Sequence, residues 1–352
     1  MAQESTAPER RILINDVEIA AGLSVDVLEI MVAQYVEGGD RFEMLVNALD
    51  STNAQLKWID EQQFQPGNKV EIQVGYTGQL ETLIAGEITA LESRFADDQA
   101  AKVCVQGFDR LHRLRRGRKT RAFYEVKDSQ IAEQIATGMG LQPEVEDSQV
   151  VHPYVLQANM SDIDFLAGRA KRIRYEVIVL DKKLIFRRAA NHLGETVVLE
   201  YMKDLKWFAA RLSTVRQVSE VSVRGWNPRS KEGILAVARA GDETTRMKGS
   251  SIGPAIGESA FGKTATATVD IPVESQAEAD QIAKARFNDM AIELIHGEGE
   301  AVGNTALRAG ITIELKGVGS RFGGSYYVQK AEHRISPSSG YVTRFEVRRN
   351  AS

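Results

Sequence analysis

The chain has 352 residues, of which 43 % are hydrophobic and 26 % are charged, and its formal net charge is −4. These values are typical of globular proteins, so they exclude a wholly disordered chain, and the small net charge excludes a general attraction to nucleic acid or to an anionic membrane. The length predicts two or three domains.

Short runs rich in Val, Ile and Leu fill the first third of the chain and are separated by turn residues such as Gly38-Gly39-Asp40 and Pro66-Gly67-Asn68. The runs are Ile12–Ile19, Ser24–Val36, Arg41–Leu49, Lys69–Tyr76, Leu83–Ser93 and Ala101–Phe108. Six short strands at this spacing predict an antiparallel sandwich or barrel.

The hydrophobic period then changes from two residues to that of a helix. The predicted elements are a helix with Asp128 as N-cap that ends at Gly138 or Gly140, a helix that begins at Ser161 with Asp164 completing a capping box, and a hairpin of Tyr175–Leu180 and Leu184–Arg187. These elements predict a small α/β domain between two β-rich parts of the chain.

Strand patterns return at Lys206–Ala209 and Ser219–Trp226. The stretch 241–268 is rich in Gly, Ser and Thr and is predicted to be a loop. A helix over residues 275–294 follows, with Ser275 and Glu278 as its capping box and Gly297 as its stop. The remainder, from Thr305 to Arg349, is predicted to be strands and turns.

A weak internal repeat links the two β-rich parts. The equivalent pairs are Val70–Gly75 with Ile311–Leu315, Leu83–Leu91 with Tyr326–Arg334, Ala101–Phe108 with Val342–Val347, and Phe42–Asn47 with Val221–Trp226. Generic β-strand patterning is the alternative explanation. We predict an α+β, mainly β protein: two related antiparallel β-barrel (tube-type) domains at 1–120 and 201–352, with a small α/β domain at 121–200 inserted between them.

No motif with catalytic or metal-binding spacing stands out. The Gly-rich segment Gly317–Gly324 precedes a predicted strand and not a helix, so a hairpin connection is favoured over a phosphate loop. The five histidines lack metal-ligand spacing, and the single cysteine, Cys104, alternates with valines on a predicted strand. Cys104 alone excludes an internal disulfide framework. We therefore expect no catalytic residue, no cofactor and no metal.

The strongest charge feature is a basic run within twelve residues. Its members are Arg110, Arg113, Arg115, Arg116, Arg118, Lys119 and Arg121. Such a run can bind nucleic acid through phosphate contacts, but it contains no aromatic residues that would stack on bases. The other interpretations are a solvated connector or a contact with an acidic neighbouring subunit.

Several segments together resemble the phage late control gene D protein family, which includes the hub portion of VgrG-type spikes. They are Leu83–Glu92, Val105–Leu114, Ser161–Leu166 with the hairpin strand Leu184–Arg187, Val221–Pro228, Gly324–Val328, and Thr343–Val347. The segments occur in the order of that family along nearly the whole chain, which supports the resemblance.

The resemblance implies a non-enzymatic homotrimer in the baseplate of a contractile phage tail or injection system. Its six related barrels would join a threefold spike to the sixfold inner tube. The implied partners are a separate spike protein, an inner tube or tube-initiator protein and other baseplate proteins, with no membrane partner and nucleic acid only as cargo in the lumen. The protein would be made in the cytoplasm and then become part of a particle, where the basic run would line the lumen or join subunits. The alternatives are a nucleic-acid-binding module and a tail-associated cell-wall hydrolase.

Overall fold

The computed structural model describes residues 7–76, 78–96, 99–227, 230–268 and 271–352. It is mainly β, with most strands in one large antiparallel sheet. Within the described residues, we find no helix with the length and apolar character needed to cross a membrane.

The first part of the chain forms strands whose side chains alternate between core and solvent, as in Arg41–Asn47, where Phe42, Met44 and Val46 are buried. Its elements are β1 (Pro8–Ile14), β2 (Val17–Glu18), α1 (Ala21–Asp26), β3 (Val27–Tyr35), β4 (Arg41–Asn47), β5 (Leu49–Asp50), β6 (Gln55–Leu56), a 3-10 turn (Gln62–Phe64), β7 (Lys69–Tyr76), β8 (Gln79–Ala96) and β9 (Gln99–Asp109). The prediction of one strand over Ser24–Val36 is wrong at its start. A helical turn there buries Leu23 and brings Asp26 to the Trp58 indole N–H at 2.7 Å.

The middle of the chain contains the two predicted helices and the predicted hairpin, which are confirmed. Its elements are α2 (Leu111–Leu114), β10 (Lys119–Lys127), α3 (Asp128–Gly138), β11 (Gln142–Val145), β12 (Val151–Met160), α4 (Asp162–Arg172), β13 (Tyr175–Leu180) and β14 (Lys183–Arg188). The Ser161 hydroxyl accepts from the Asp164 N–H at 3.2 Å, as the capping box requires. The N-cap of α3 is Lys127 and not Asp128, whose buried carboxylate instead binds Arg169 and His152.

The last part of the chain contains both confirmed and unexpected elements. They are β15 (Val197–Glu200), β16 (Leu205–Leu212), β17 (Glu220–Asn227), β18 (Glu232–Arg239), α5 (Gly253–Phe261), β19 (Ala265–Thr268), α6 (Gln276–Ala291), a 3-10 turn (Ile292–Leu294), β20 (Ile295–Val302), β21 (Thr312–Lys316), α7 (Gly319–Phe322), β22 (Gly324–Ser336) and β23 (Gly340–Arg349). The Ser275 cap of α6 is confirmed by its 3.2 Å bond from the Glu278 N–H.

Two predictions for this last part need correction. The stretch 241–268 is not a plain loop, because it contains α5 and β19 and is tied to the C-terminal strand by Arg349, which binds the carbonyls of Met247 and Lys248. Gly297 does not stop α6. It lies in β20, where a Cβ atom would come within 2.7 Å of the Phe208 ring.

The large sheet has the strand order β16-β20-β23-β22-β3-β4-β9-β8-β7-β1-β2, and β21 pairs with both β22 and β15. Strand β22 has two neighbours on one side. Its first residues pair with β21, and its residues Lys330–Ile335 pair with β3. This β3–β22 junction joins the first and last parts of the chain, and Ile335 and Tyr341 extend the core of the first part across it.

The strand order β3-β4-β9-β8-β7 recurs as β16-β20-β23-β22-β21. Two irregularities in the ladder recur with it, whereas the shifts at Ile72–Gln73 and Arg94–Ala96 have no counterpart in the second half. The β8–β9 pairing skips a residue between Ile88 and Ala90, and the β22–β23 pairing skips one between Val328 and Lys330. The β3–β4 pairing slips after Val27, and the β16–β20 pairing slips after Leu205. Bulges are specific local features, so their recurrence at matching places defines a residue-by-residue equivalence between the halves.

The pairing of Phe42–Asn47 with Val221–Trp226 in the sequence repeat is wrong. The latter segment is β17, which lies in a separate sheet of order β18-β17-β19 and is covered by α6 (Pro228, the last residue of the resembling segment, lies outside the described residues). The structural equivalent of β4 is β20. The whole unit from β17 to α6 lies between β16 and β20, where the first half has only the short turn 36–40.

Candidate functional site

The basic run forms a segment at the end of the first half, and we call residues 110–121 the basic segment. It leaves β9, passes through the single turn α2 and enters β10. This path places it between the strands of the first half and the α/β elements α4 and β13. Its cations are therefore within reach of carboxylates from both sides.

Glu87 on β8 binds the first part of the basic segment. Its carboxylate, 3 % exposed, accepts from Arg113 Nε at 2.8 Å and lies 2.9 Å from His112 Nε2. Burial alone would raise the pKa of the Glu87 carboxyl, but the hydrogen bonds from Arg113 and His112 hold it below its ordinary value. Glu87 is thus ionised in the folded protein and fixes α2 against β8.

Asp162, the first residue of α4, binds the second part of the basic segment. Its carboxylate accepts from Lys119 Nζ at 2.6 Å, from Arg121 Nη2 at 2.7 Å and from Gln157 Nε2 at 3.0 Å. A carboxylate at a helix N-terminus is also stabilised by the helix dipole. Arg118 donates to the Asn159 carbonyl at 2.8 Å, so this end of the segment is attached to the end of β12, just before α4.

Arg110 forms an ion pair of 3.6 Å with Asp181 in the β13–β14 turn. In contrast, Arg115 and Arg116 are exposed and make no ion pair with any residue that the structure describes. Five of the seven candidate residues therefore bind partners in their own chain. The expectation that the segment contacts a neighbouring subunit or a lumen stays a prediction, and it concerns chiefly Arg115 and Arg116.

A buried pair of carboxyl groups, Asp40 and Asp109, was not identified from the sequence. Asp109 Oδ2 accepts from the Asp40 N–H at 2.9 Å, and Asp40 Oδ1 accepts from the Tyr35 N–H at 3.0 Å. Burial raises the pKa of Asp40 to about 7, and burial followed by the charge of Asp40 raises the pKa of Asp109 well above its usual range. Aspartates in turns are common, so nothing in the sequence distinguishes this pair.

The acidic pair holds the turn between β3 and β4. Its oxygens accept main-chain N–H groups, including that of Leu111 at 2.9 Å from Asp109 Oδ1. No group of three or more His, Cys, Asp or Glu side chains among the described residues could hold a metal ion. Cys104 is buried on β9, as its pattern indicated.

A cleft of about 750 Å³ between the α/β elements and α6 is lined by residues that include Tyr175, Arg188, Gln281 and Asn288. Tyr175 donates to the Asp147 carbonyl at 2.9 Å, and Asn288 donates to the carbonyls of Asp242 and Lys284, so these groups already have structural partners. The cleft gives no reason to assign a reaction.

Solved structures of similar fold are phage tail proteins and a secretion-system component. The 43 kDa tail protein of prophage MuSo2 from Shewanella oneidensis aligns with 97 % of this chain and 98 % of its own, at 14 % identity and a TM-score of 0.72. A tail protein from Neisseria meningitidis MC58 aligns over 97 % and 96 %, at 10 % identity and a TM-score of 0.69. The E. coli c3393 protein, a component of the type VI secretion system, aligns over 97 % and 77 %, at 12 % identity and a TM-score of 0.64.

At these identities the likeness establishes the fold. No curated protein sequence matches the chain. The chain does match the sequence model of the Alg8 N-terminal domain over residues 5–337, which is nearly its whole length. This match does not carry the late control gene D name, so the resemblance to that family stays a prediction. The chain belongs to the Alg8 N-terminal domain family.

Proposed function

We propose that this protein is the structural hub of a contractile tail or injection-system baseplate, and that it acts as a homotrimer and not as an enzyme. In this proposal each copy contributes two related barrels, and the ring of six joins a threefold spike to the sixfold inner tube. The sequence resemblance to hub proteins and the fold shared with tail proteins support it.

The observation that carries the proposal is the repeated strand order with its repeated bulges. A trimer of a chain with one such half offers three equivalent docking surfaces, whereas a trimer of a chain with two equivalent halves offers six similar ones. An adaptor between threefold and sixfold parts needs this property. A monomeric binding protein or hydrolase has no comparable need for it.

The proposed partners are a separate spike protein, an inner tube or tube-initiator protein and other baseplate proteins. The protein would be assembled in the cytoplasm and remain in the baseplate of the finished particle. Nucleic acid would enter only as cargo in the lumen. The internal ion pairs of the basic segment argue against a dedicated nucleic-acid-binding module, because Glu87 and Asp162 hold Arg113, Lys119 and Arg121 in contacts within the chain.

The direct test is the mass of the purified protein by light scattering, followed by negative-stain imaging. We expect a species of three times 38.8 kDa with a hollow, roughly sixfold outline. The spike protein of the same particle should be co-expressed if the free protein is smaller. A chain that stays monomeric in both preparations would contradict the proposal.

A further inference from the structure

Two strand edges remain open in the single chain. On β8, the residues beyond Ile88 pair with β9 on one side, and no described strand pairs with their other side. On β16, the partner is β20, and its other edge is likewise unpaired among the described strands. Both edges carry exposed apolar side chains, since Leu91 is 40 %, Phe95 61 % and Trp207 40 % exposed. Open edges of this kind are usual sites of strand addition.

The β3–β22 junction shows what fills the corresponding edge in the other half. There β3 lies antiparallel to the second part of β22, with Ile335 opposite Ile30, His333 opposite Val32 and Ala331 opposite Gln34. The strand addition buries Ile335 to 5 % exposure. A main-chain bond of 3.1 Å from the Val36 N–H to the Gln329 carbonyl closes the end of the junction.

The recurring bulges show which residues of β8 and β16 correspond to the paired residues of β22 and β3. Since Ala90 corresponds to Lys330, the β8 residues Leu91 and Phe95 correspond to Ala331 and Ile335. Since the slip after Leu205 corresponds to that after Val27, the β16 residues Phe208 and Leu212 correspond to Ile30 and Gln34. A main-chain hydrogen bond just before each of the two edges also occupies the same position in both halves. Gly67 N–H to the Ile88 carbonyl at 2.8 Å matches Gly310 N–H to the Val328 carbonyl at 2.9 Å.

We propose that β16 of one copy adds antiparallel to the open edge of β8 in a neighbouring copy. The proposed cross-strand pairs are Leu91 with Leu212, Glu92 with Arg211, and Phe95 with Phe208. This proposal rests on the trimeric assembly proposed above and assigns the surface through which the copies meet. The partner is therefore a second copy of this chain, and the β3–β22 junction within each chain is its template.

Side-chain chemistry fits this register. Two pairs match apolar groups on the face that β22 and β3 use for the core, where Phe208 and Leu212 already pack on the core of the last part. The third pair sets a carboxylate opposite a guanidinium on the outer face. Opposite charges and apolar pairs directly across two strands are both stabilising. A register shifted by one residue would place Glu92 among the apolar groups.

The contact joins different surfaces of the two copies, so it runs head to tail. Such heterologous contacts build a closed ring when the rotation between copies closes and a filament when it does not. Within each chain the β3–β22 junction makes the equivalent step. Alternation of the two junctions around the ring would give six similar halves from three copies.

The test is a disulfide across the proposed strand pair in the full chain. Cys104 lies opposite Glu92 on β9, so the background is Cys104→Ala, which removes the thiol that would compete within the chain. Glu92→Cys and Arg211→Cys are then combined and oxidised with glutathione disulfide. Directly opposed residues lie within the Cα separation that a disulfide spans. The matched control combines Glu92→Cys with Ala210→Cys, because residue 210 points to the other face of β16.

We expect bridged species of two and three copies on non-reducing gels for the 92–211 pair and monomer for the 92–210 pair. A protein that forms trimers by light scattering but gives no 92–211 bridge would overturn this junction and leave the trimer standing. A protein that forms neither bridge nor oligomer, also with its spike, would overturn both proposals. A tube subunit on the β8 edge would likewise leave the two cysteines unbridged.

A charge exchange gives a second readout without new thiols. Glu92→Arg or Arg211→Glu alone places like charges opposite each other, and we expect roughly fivefold weaker association for each junction affected. The double exchange should restore association, because opposite charges face each other again in swapped positions. Weakening by both single changes without restoration in the double variant would overturn the assigned pair.

Discussion

Asp162 is the residue whose replacement best tests the structural role of the basic segment. Its side chain is 3 % exposed, and two cations and one amide donate to it. Asp162→Asn keeps the size of the side chain but removes the charge that Lys119 and Arg121 share. The change should therefore loosen the attachment of β10 to the start of α4.

The size of the effect follows from the number and exposure of the contacts. Each hydrogen bond to a charged group contributes about 1.5–3 kcal/mol in net terms. Lys119 and Arg121 are 44 % and 35 % exposed, so water partly compensates them once they are released. We expect a loss of about 2–3 kcal/mol in local stability, which is below the cost of breaking a fully buried pair.

Hydrogen exchange of the α4 and β10 amides is the suitable assay. At tenfold per 1.4 kcal/mol, the expected loss corresponds to exchange roughly 30- to 150-fold faster. Asp147→Asn is the matched control, since it removes the same charge from the same part of the fold. Asp147 is 61 % exposed, so its pair with Lys127 at the end of β10 should contribute less than about 1 kcal/mol, and we expect at most a roughly fivefold change. Equal exchange in the two variants would refute the internal neutralisation of the basic segment.

Two further predictions concern buried groups. Burial raises the pKa of Asp40 from 3.8 to about 7, so the folded protein binds the extra proton and loses stability as pH rises through this window. The Asp40→Asn variant should therefore melt at a higher temperature than the parent protein at pH 8, and this difference in melting temperature should shrink by pH 4. A difference that stays constant between pH 4 and pH 8 would contradict the prediction. Arg349, 1 % exposed, donates to the carbonyls of Gly323, Lys248 and Met247. Arg349→Met should cost about 4–5 kcal/mol in urea unfolding, at roughly 1.5 kcal/mol for each charge-assisted bond, whereas Arg344→Met on the exposed side of the same strand should cost about 1 kcal/mol or less.

Much of the local structure could be predicted because burial alternates with a simple period. Lys69–Tyr76 was placed at its observed bounds, and the caps at Ser161 and Ser275 located two helices. Strand β20 was missed for a physical reason. Its positions Gly297 and Gly299 lie under the rings of Phe208 and Phe345, so the core there is filled from neighbouring strands and β20 itself lacks an apolar alternation.

The partners of the basic segment could not be predicted because they are distant in sequence. Glu87 precedes Arg113 by 26 residues, and Asp162 follows Arg121 by 41. A run of cations on its own is compatible with a lumen, a nucleic acid or an internal ion-pair network. Only the fold distinguishes these, because it brings the carboxylates of β8 and α4 to the two ends of the segment.

The two junctions of the proposed ring are similar in backbone but differ in side chains. Within the chain, Arg334 on β22 pairs with Glu332 at 3.1 Å and reaches across to Glu29 on β3 at 3.2 Å. On β8 the equivalent pair, Arg94 with Glu92, is already formed at 2.8 Å.

The equivalent of Glu29 on β16 is Trp207, so the guanidinium of Arg94 would meet an indole ring and not a carboxylate. A cation over an aromatic ring is also favourable, but the two edges are no longer interchangeable. If β16 of another copy competed for the β22 edge, Arg211 would take the place of Ala33 opposite Glu332, while Arg334 would lose Glu29. Since Arg211 would then face the Glu332 carboxylate, the rival would exchange one ion pair for another, and charge alone does not separate the two junctions. Strand β3 keeps its place on β22 because it belongs to the same chain and needs no association of copies, which leaves β8 as the edge available to β16.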